Sequence, residues 1–160
     1  MTELAFDRLL GSLVKAEIDF VVVGGLALGA WGVVRGTRDL DVVVDQEPAN
    51  LATLASLAES LNGRVQARDA FLSSAAAIEE LLRAGERVQI ETAIGPLDVV
   101  QGLPGVPEFS ELRERAVEVD LFGSTVPVCS EEDLRAMKKA AGRARDVADL
   151  EALDEARGGR

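Results

Sequence analysis

The chain has 160 residues, a net charge of −11 and an apolar fraction of 48%, enough for one core of ordinary domain size. Histidine is absent, which excludes Ser–His and Cys–His catalysis and histidine-ligated zinc. Tyrosine is absent too and aromatics are only 4%, so base-stacking platforms are hard to build, and the acidic balance argues against a broad, non-specific grip on nucleic acid.

Residues 3–17 read as a helix, with Leu4, Leu9, Leu10, Leu13 and Val14 forming an apolar stripe. The opening MTELAFDRLLGSL lacks the basic start and small-residue cleavage site of a signal peptide. No apolar run reaches membrane-spanning length. The expectation is a cytoplasmic protein with no membrane partner. Residues 20–23 form a fully apolar strand that ends at Gly24-Gly25. Residues 26–34 read as a short helix despite Gly29 and Gly32, and 40–44 as a second buried strand. Pro48 opens a helix over 48–61, in which Leu51, Leu54, Leu57 and Leu61 recur at helical spacing. A weaker helix covers 75–84.

Residues 87–92 and 97–100 read as a hairpin turning at Gly95-Pro96. Residues 102–107 are a loop. Residues 117–122 and 125–128 form a second hairpin around Gly123-Ser124. Ser130 reads as a helix N-cap with Asp133 in the first turn, and helices over 131–141 and 144–156 follow. The tail, 157–160, reads as frayed. Cys129 follows an apolar run and cannot form an internal disulfide, so it reads as an inert core thiol. The fold class is α/β (α+β): one domain over 1–160, a mixed sheet of about four to six strands flanked by helices, a core over about 18–129, and C-terminal helices within 130–156.

The stretch VVVGGLALGAWGVVRGTRDLDVVVD carries the chemistry. Residues two apart in a strand share a face, so Asp39 and Asp41 point together while Leu40 turns into the core. Such a pair repels itself and raises its own pKa values. A divalent cation removes the conflict, and Mg²⁺ takes carboxylates together with phosphate oxygens and water. Upstream, Gly24-Gly25 ends a strand and opens a helix, where backbone N–H groups bind anions and glycine lets phosphate approach. Asp98 in GPLDVV is the candidate third carboxylate, with Glu91 in reserve. Two metals roughly 4 Å apart can activate a hydroxyl and stabilise leaving pyrophosphate. Taken alone, an Asp-x-Asp pair is most often a solvated strand start, and Gly-Gly only a turn. The combination is the demanding feature.

This segment resembles the signature of DNA polymerase β-type nucleotidyltransferases: a Gly-Gly or Gly-Ser turn, a helix, Asp-x-Asp on the next strand and a later Asp. The version Arg35-Gly-Thr37-Arg38-Asp39-Leu-Asp41 is similar to the small prokaryotic branch that includes AbiEii-type toxins. LRAMKKAAGRARDVADLEAL resembles that branch's later motif, at Lys138, Arg143, Arg145, Asp146 and Asp149. The resemblance implies a nucleotidyltransferase-like fold and a two-metal Mg²⁺ site (or Mn²⁺) on Asp39, Asp41 and Asp98. It implies an NTP co-substrate whose phosphates meet Gly24 and Gly25, with Lys138 near the triphosphate. Arg35 and Arg38 would add charge neutralisation around Thr37. The reaction would be attack of an acceptor hydroxyl on the α-phosphorus with release of pyrophosphate.

Two departures stand out. The chain carries Gly-Gly where Gly-Ser would supply a hydroxyl, and it largely lacks the extra helical mass of the larger toxins. The acceptor reads as an RNA 3′ end, such as tRNA, or a protein hydroxyl, with a cognate antitoxin as partner. Transfer to a small molecule such as an aminoglycoside stays open, because an acidic surface suits a cationic substrate. So does a non-catalytic nucleotide- or partner-binding module. Three converged carboxylates favour the enzyme, two the binder. The C-terminal motif also has a plain reading: Leu134, Met137 and Ala141 form a packed stripe, and Arg143–Asp146 and Arg145–Asp149 are helix ion pairs. Trp31 reads as core, and Arg113, Arg115 and the terminal arginines as solvated.

Overall fold

The structure is a computed structural model that describes residues 3–158, with side chains from residue 5 onward. Two apolar strands organise it. The strand β1 (Phe20–Val23) is buried at every position, and β2 (Leu40–Val44) at all but Asp41. They pair antiparallel with Val22 opposite Val42 and Val23 opposite Asp41. Between them runs the short helix α2 (Gly24–Ala30). It begins at Gly24 and ends at Ala30, not over 26–34, because Trp31 and Gly32 close it with short-range backbone bonds to Ala27, Leu28 and Gly29.

Two hairpins extend this pair on either side. One is β5 (Val88–Thr92) with β6 (Gly95–Val99), the other β7 (Val117–Leu121) with β8 (Ser124–Val128). The strand β6 joins β2 in parallel and β8 joins β1 in parallel. The six-stranded mixed sheet therefore has the order β5-β6-β2-β1-β8-β7. The first hairpin turns at Ala93-Ile94, since Thr92 pairs with Gly95. Gly95 and Pro96 thus lie inside β6 and not in the turn. Thr92 closes it by donating its hydroxyl to the Gly95 carbonyl at 2.6 Å.

The helix α1 (Glu3–Lys15) packs on β8 and β6 and touches α3 (Pro48–Ser60). Leu9, Leu10 and Leu13 are fully buried, whereas Val14 is exposed; the Leu4 side chain lies outside the described residues. The helix α4 (Ala75–Arg83) packs on α3. After Ser130, whose hydroxyl accepts from the Asp133 N–H, come α6 (Glu131–Ala141) and α7 (Ala144–Gly158). The helix α6 packs against α2 and α7. Its inner face carries Leu134 and Lys138, while Ala141 is exposed. The sequence pattern does not reveal three elements: the small hairpin β3 (Val65–Ala67) with β4 (Ala70–Leu72), and the helix α5 (Phe109–Arg115). Each hairpin strand is three residues long, and α5 buries only Leu112, so none leaves a usable period.

Cys129 is fully buried, and burial pushes its thiol up to about 12. Its carbonyl accepts the Trp31 indole N–H at 2.9 Å, which ties Trp31 to the core edge. Asn50 on α3 staples the outer ends of β1 and β2. Its amide donates to the Asp19 and Asp45 carbonyls at 3.1 and 2.9 Å, and its oxygen accepts the Asp19 N–H at 2.9 Å. Removing this amide leaves the Asp19 N–H and the Asp45 carbonyl without these bonds, while the Asp19 carbonyl keeps the Asp45 N–H at 3.1 Å. Asn50→Ala is expected to lose about 1–2 kcal/mol of stability in urea titration. A loss below about 0.5 kcal/mol would mean that water replaces all three bonds.

Candidate active site

The carboxylate cluster follows from strand register. In the parallel pairing of β2 with β6, Asp41 lies directly beside Asp98, on strands roughly 4.8 Å apart. Partners in register project from the same face, and Asp39 joins them as the residue two before Asp41. Leu40, Val42, Leu97 and Val99 take the opposite face and are buried. One carboxylate oxygen from each of Asp39, Asp41 and Asp98 falls within 4.8 Å of the others. Glu91, the reserve candidate, sits opposite Pro96 at the far end of the hairpin and is exposed, so it is not part of the cluster.

The cost of this crowding is visible at Asp41. Burial, then the charges of Asp98 and Asp39, raise its pKa from the ordinary value of 3.8 to about 7; the Gly25 backbone N–H acts the other way. Gly24 and Gly25 are required by their neighbours. Gly24 has φ +67°, and a Cβ there would lie 2.1 Å from Asp41 Oδ2; a Cβ on Gly25 would lie 2.6 Å from Thr37 Oγ1. The glycines therefore let Asp41 and the loop before β2 close on the start of α2. No side chain caps that helix, and its first residues line the cleft.

The cleft has a volume of about 630 Å³, the size range of small-molecule sites. The acidic cluster forms one wall, and loop residues Arg35, Thr37 and Arg38 a second. The third wall is α6 and the start of α7. Here Lys138, Arg143, Asp146 and Asp149 of the C-terminal motif, together with Arg35, form a charge network around two buried aspartates. Lys138 Nζ lies 2.8 Å from Asp149 Oδ2 and 3.4 Å from Asp146 Oδ1, and Arg35 Nη1 lies 3.1 Å from Asp149 Oδ1. Arg143 Nε donates to Asp146 Oδ2 at 2.7 Å. Asp146 is fully buried. Burial opposes its charge, but bonds from the Arg143 side chain and backbone, with Lys138 beyond, hold its pKa below the usual range. The pair Arg143–Asp146 thus forms as the sequence suggests, whereas Asp149 turns to Lys138 and Arg35, not to Arg145.

Arg87 also belongs to the site, although no sequence motif singles it out. Its Nε donates to both oxygens of Asp98 at 3.0 Å, and its Nη2 also meets Oδ2. The signal was strand parity: Arg87 precedes β5 by one residue and alternates with buried Val88 and Ile90, which puts it on the face of Asp98. Arg115 is not simply solvated either, since it clasps the buried carboxylate of Asp133 at 2.9 and 3.0 Å. Arg157 lies within α7 and donates to Glu131 at 2.7 Å; residues 159–160 of the tail lie outside the described residues. Three convergent carboxylates offer an all-oxygen donor set, which suits a hard divalent cation such as Mg²⁺. No described helix is long and apolar enough to cross a membrane.

Comparison with known proteins identifies the fold. The lincosamide antibiotic adenylyltransferase LnuA, in its lincomycin-bound crystal structure, superposes with a TM-score of 0.68 at 14% identity, covering 98% of each chain. The antibiotic-resistance factor ANT(2'')-Ia in solution gives 0.57 at 16% identity, covering 98% of this chain and 89% of that one. A putative nucleotidyltransferase from Thermotoga maritima gives 0.55 at 15% identity, covering 100% and 97%. No protein-family model matches the chain, and no curated protein matches it. The fold is that of the nucleotidyltransferases.

Because folded Asp41 holds a proton to about pH 7 that the unfolded chain releases near pH 4, this group makes stability fall as pH rises through that window. In metal-free buffer, the melting temperature of the wild type relative to Asp41→Asn is expected to decline from pH 4 to pH 7. A flat difference would remove the carboxylate crowding. Gly24→Ala combines a left-handed φ, worth roughly 1–2 kcal/mol, with the Asp41 clash. It is expected to unfold at lower urea than wild type by at least that amount.

Proposed function

We propose that the protein is a metal-dependent nucleotidyltransferase that moves a nucleoside monophosphate from an NTP to a hydroxyl of a small-molecule acceptor. The observation that carries this reading is the meeting of Asp39, Asp41 and Asp98 within 4.8 Å, beside Gly24 and Gly25 in one cleft. Asp39 and Asp41 would hold the divalent cations, with Asp98 as the third ligand. Bound there, Mg²⁺ supplies charge neutralisation at the phosphates and a lower pKa for the attacking hydroxyl. The chain's own part is positioning and screening. The start of α2 borders the triphosphate path. Arg38 and Arg145 reach the cleft without an acid partner among the described residues. Arg35 and Lys138 line it from the paired network. The acceptor oxygen bonds to the α-phosphorus, the bond to the β,γ-pyrophosphate breaks and pyrophosphate leaves, and the hydroxyl proton passes to solvent.

Three features support a small acceptor over RNA. The volume suits a small molecule. Among the described residues no aromatic side chain lines the cleft, so none of them stacks a base there. The basic run on α6 and α7 is largely spent, because Arg135, Lys138 and Arg143 are tied to acids. LnuA and ANT(2'')-Ia, whose names refer to antibiotics, match over nearly the whole of this chain. The second reading, a toxin acting on RNA or protein and held by an antitoxin, is favoured by one observation: Lys138, Arg143, Asp146 and Asp149 of the toxin-like motif meet in one network.

The test incubates the protein with each labelled NTP and Mg²⁺, alongside polyhydroxylated amines and other small alcohols, total RNA or a protein extract. Label is expected on a small acceptor. Asp39→Ala and Asp41→Ala are each expected to reduce the rate by about a thousandfold, near 4 kcal/mol of barrier. Label on RNA or protein selects the toxin reading. NTP binding unaltered by both substitutions, without transfer to any acceptor, selects a binding module.

A further inference from the structure

Resting on that reading, we infer that Arg87 is a resident counter-cation of the metal site: it holds Asp98 while no metal is bound, and a divalent cation must displace it. Asp98 is 3% exposed, and a buried carboxylate left without a partner is strongly destabilising. Arg87 fills that need through a fork that occupies both carboxylate oxygens. Asp98 is also the ligand that faces Asp39 and Asp41 within 4.8 Å. The guanidinium and a metal therefore draw on the same carboxylate, and their like charges repel.

The two partners are unequal in a way that decides which one moves. The Asp98 side chain is fixed in the strand core at 4% exposure, whereas that of Arg87 is 40% exposed. Leaving Asp98 costs an exposed guanidinium little, because water replaces the lost bonds. The backbone beneath Arg87 does not have to move. The Gln101 amide donates to the carbonyls of Leu82 and Glu86, both at 2.9 Å, and Gly102 is packed so closely that a Cβ would lie 2.4 Å from the Gly85 carbonyl oxygen. The exchange is a side-chain rotation on a pinned turn. The charge of Arg143 lies near enough to Arg87 to oppose it, which favours departure once Asp98 is neutralised by another cation.

Arg87 is thus a positioning residue that sets how tightly the empty site accepts metal. The measurement is Mn²⁺ binding without nucleotide, by calorimetry and by the spin resonance of free Mn²⁺, on wild type, Arg87→Gln and Arg87→Lys. Arg87→Gln removes the competitor and is expected to bind Mn²⁺ about tenfold more tightly. Arg87→Lys keeps the charge without the fork and is expected to fall between. The Mn²⁺-induced rise in melting temperature should be larger in Arg87→Gln than in wild type, even where the substitution lowers the metal-free value. A purely structural arginine would lower that value and leave Mn²⁺ affinity unchanged. Wild-type binding with equal or weaker binding by Arg87→Gln overturns the competition alone. Absence of Mn²⁺ binding by every form overturns both the competition and the metal seat on which the transferase reading stands.

Discussion

The parallel register of β2 with β6 is the constraint on which the site depends. It sets Asp41 beside Asp98 and leaves the opposite side of both strands to Leu40, Val42, Leu97 and Val99, all buried. Slipping the register by one residue would drive carboxylates into that core and leucine into the cleft. The burial that makes the sheet stable therefore forces the acids together. What remains is to make their proximity tolerable. Arg87 takes Asp98, the Gly25 N–H faces Asp41, and Asp41 retains a proton to about pH 7. Each device costs less than an unpaired buried charge.

A second acidic group, Asp146 and Asp149, lies on α7, and its role is different. It is fully supplied with cations, from Lys138, Arg143 and Arg35. Through Arg35 it reaches the loop that delivers Asp39 to the start of β2. The C-terminal helices are thereby tied by ionic contact to the loop that precedes Asp39, as well as by the packing of α6 on α2. A buried, fully satisfied network specifies one arrangement of its members. Here it specifies where the loop over 32–39 lies relative to the two strands it borders.

Much of this was legible in the sequence wherever a period of two or 3.6 ran against a buried surface. The runs at 20–23 and 40–44 and the helix from Pro48 appear within a residue or so of their observed ends. Asp39 and Asp41 were legible because alternation around Leu40 is strict. Asp98 was legible because GPLDVV interrupts an apolar run with one charge. The small hairpin at 65–72 and the helix at 109–115 were not, since they bury too few side chains to impose a pattern. Nor were the partners of Asp149 legible: helix spacing offers Arg145, but the fold brings Lys138 and Arg35 from other elements. The same holds for Gly24 and Gly25. Their spacing suggests a phosphate approach, while the three-dimensional packing adds the closer demand of Asp41 and Thr37. Local pattern reports which face a residue takes; only tertiary register reports what it meets there.

The distribution of charge around the cleft also constrains what can enter. Most cations on its walls are already neutralised by a carboxylate, and only Arg38 and Arg145 lack an acid partner among the described residues. A bare polyanion would meet little free positive charge and three acids, and at close range such repulsion is not screened away by salt. An anion that arrives together with its own divalent cation meets the opposite situation, since among the described residues Asp39 and Asp41 have no cation paired to them and Asp98 has only Arg87. On the proposed reading, selection for a metal-complexed nucleotide over a free one follows from this charge pattern. It needs no dedicated recognition of the base, for which the described residues of the cleft offer no aromatic surface.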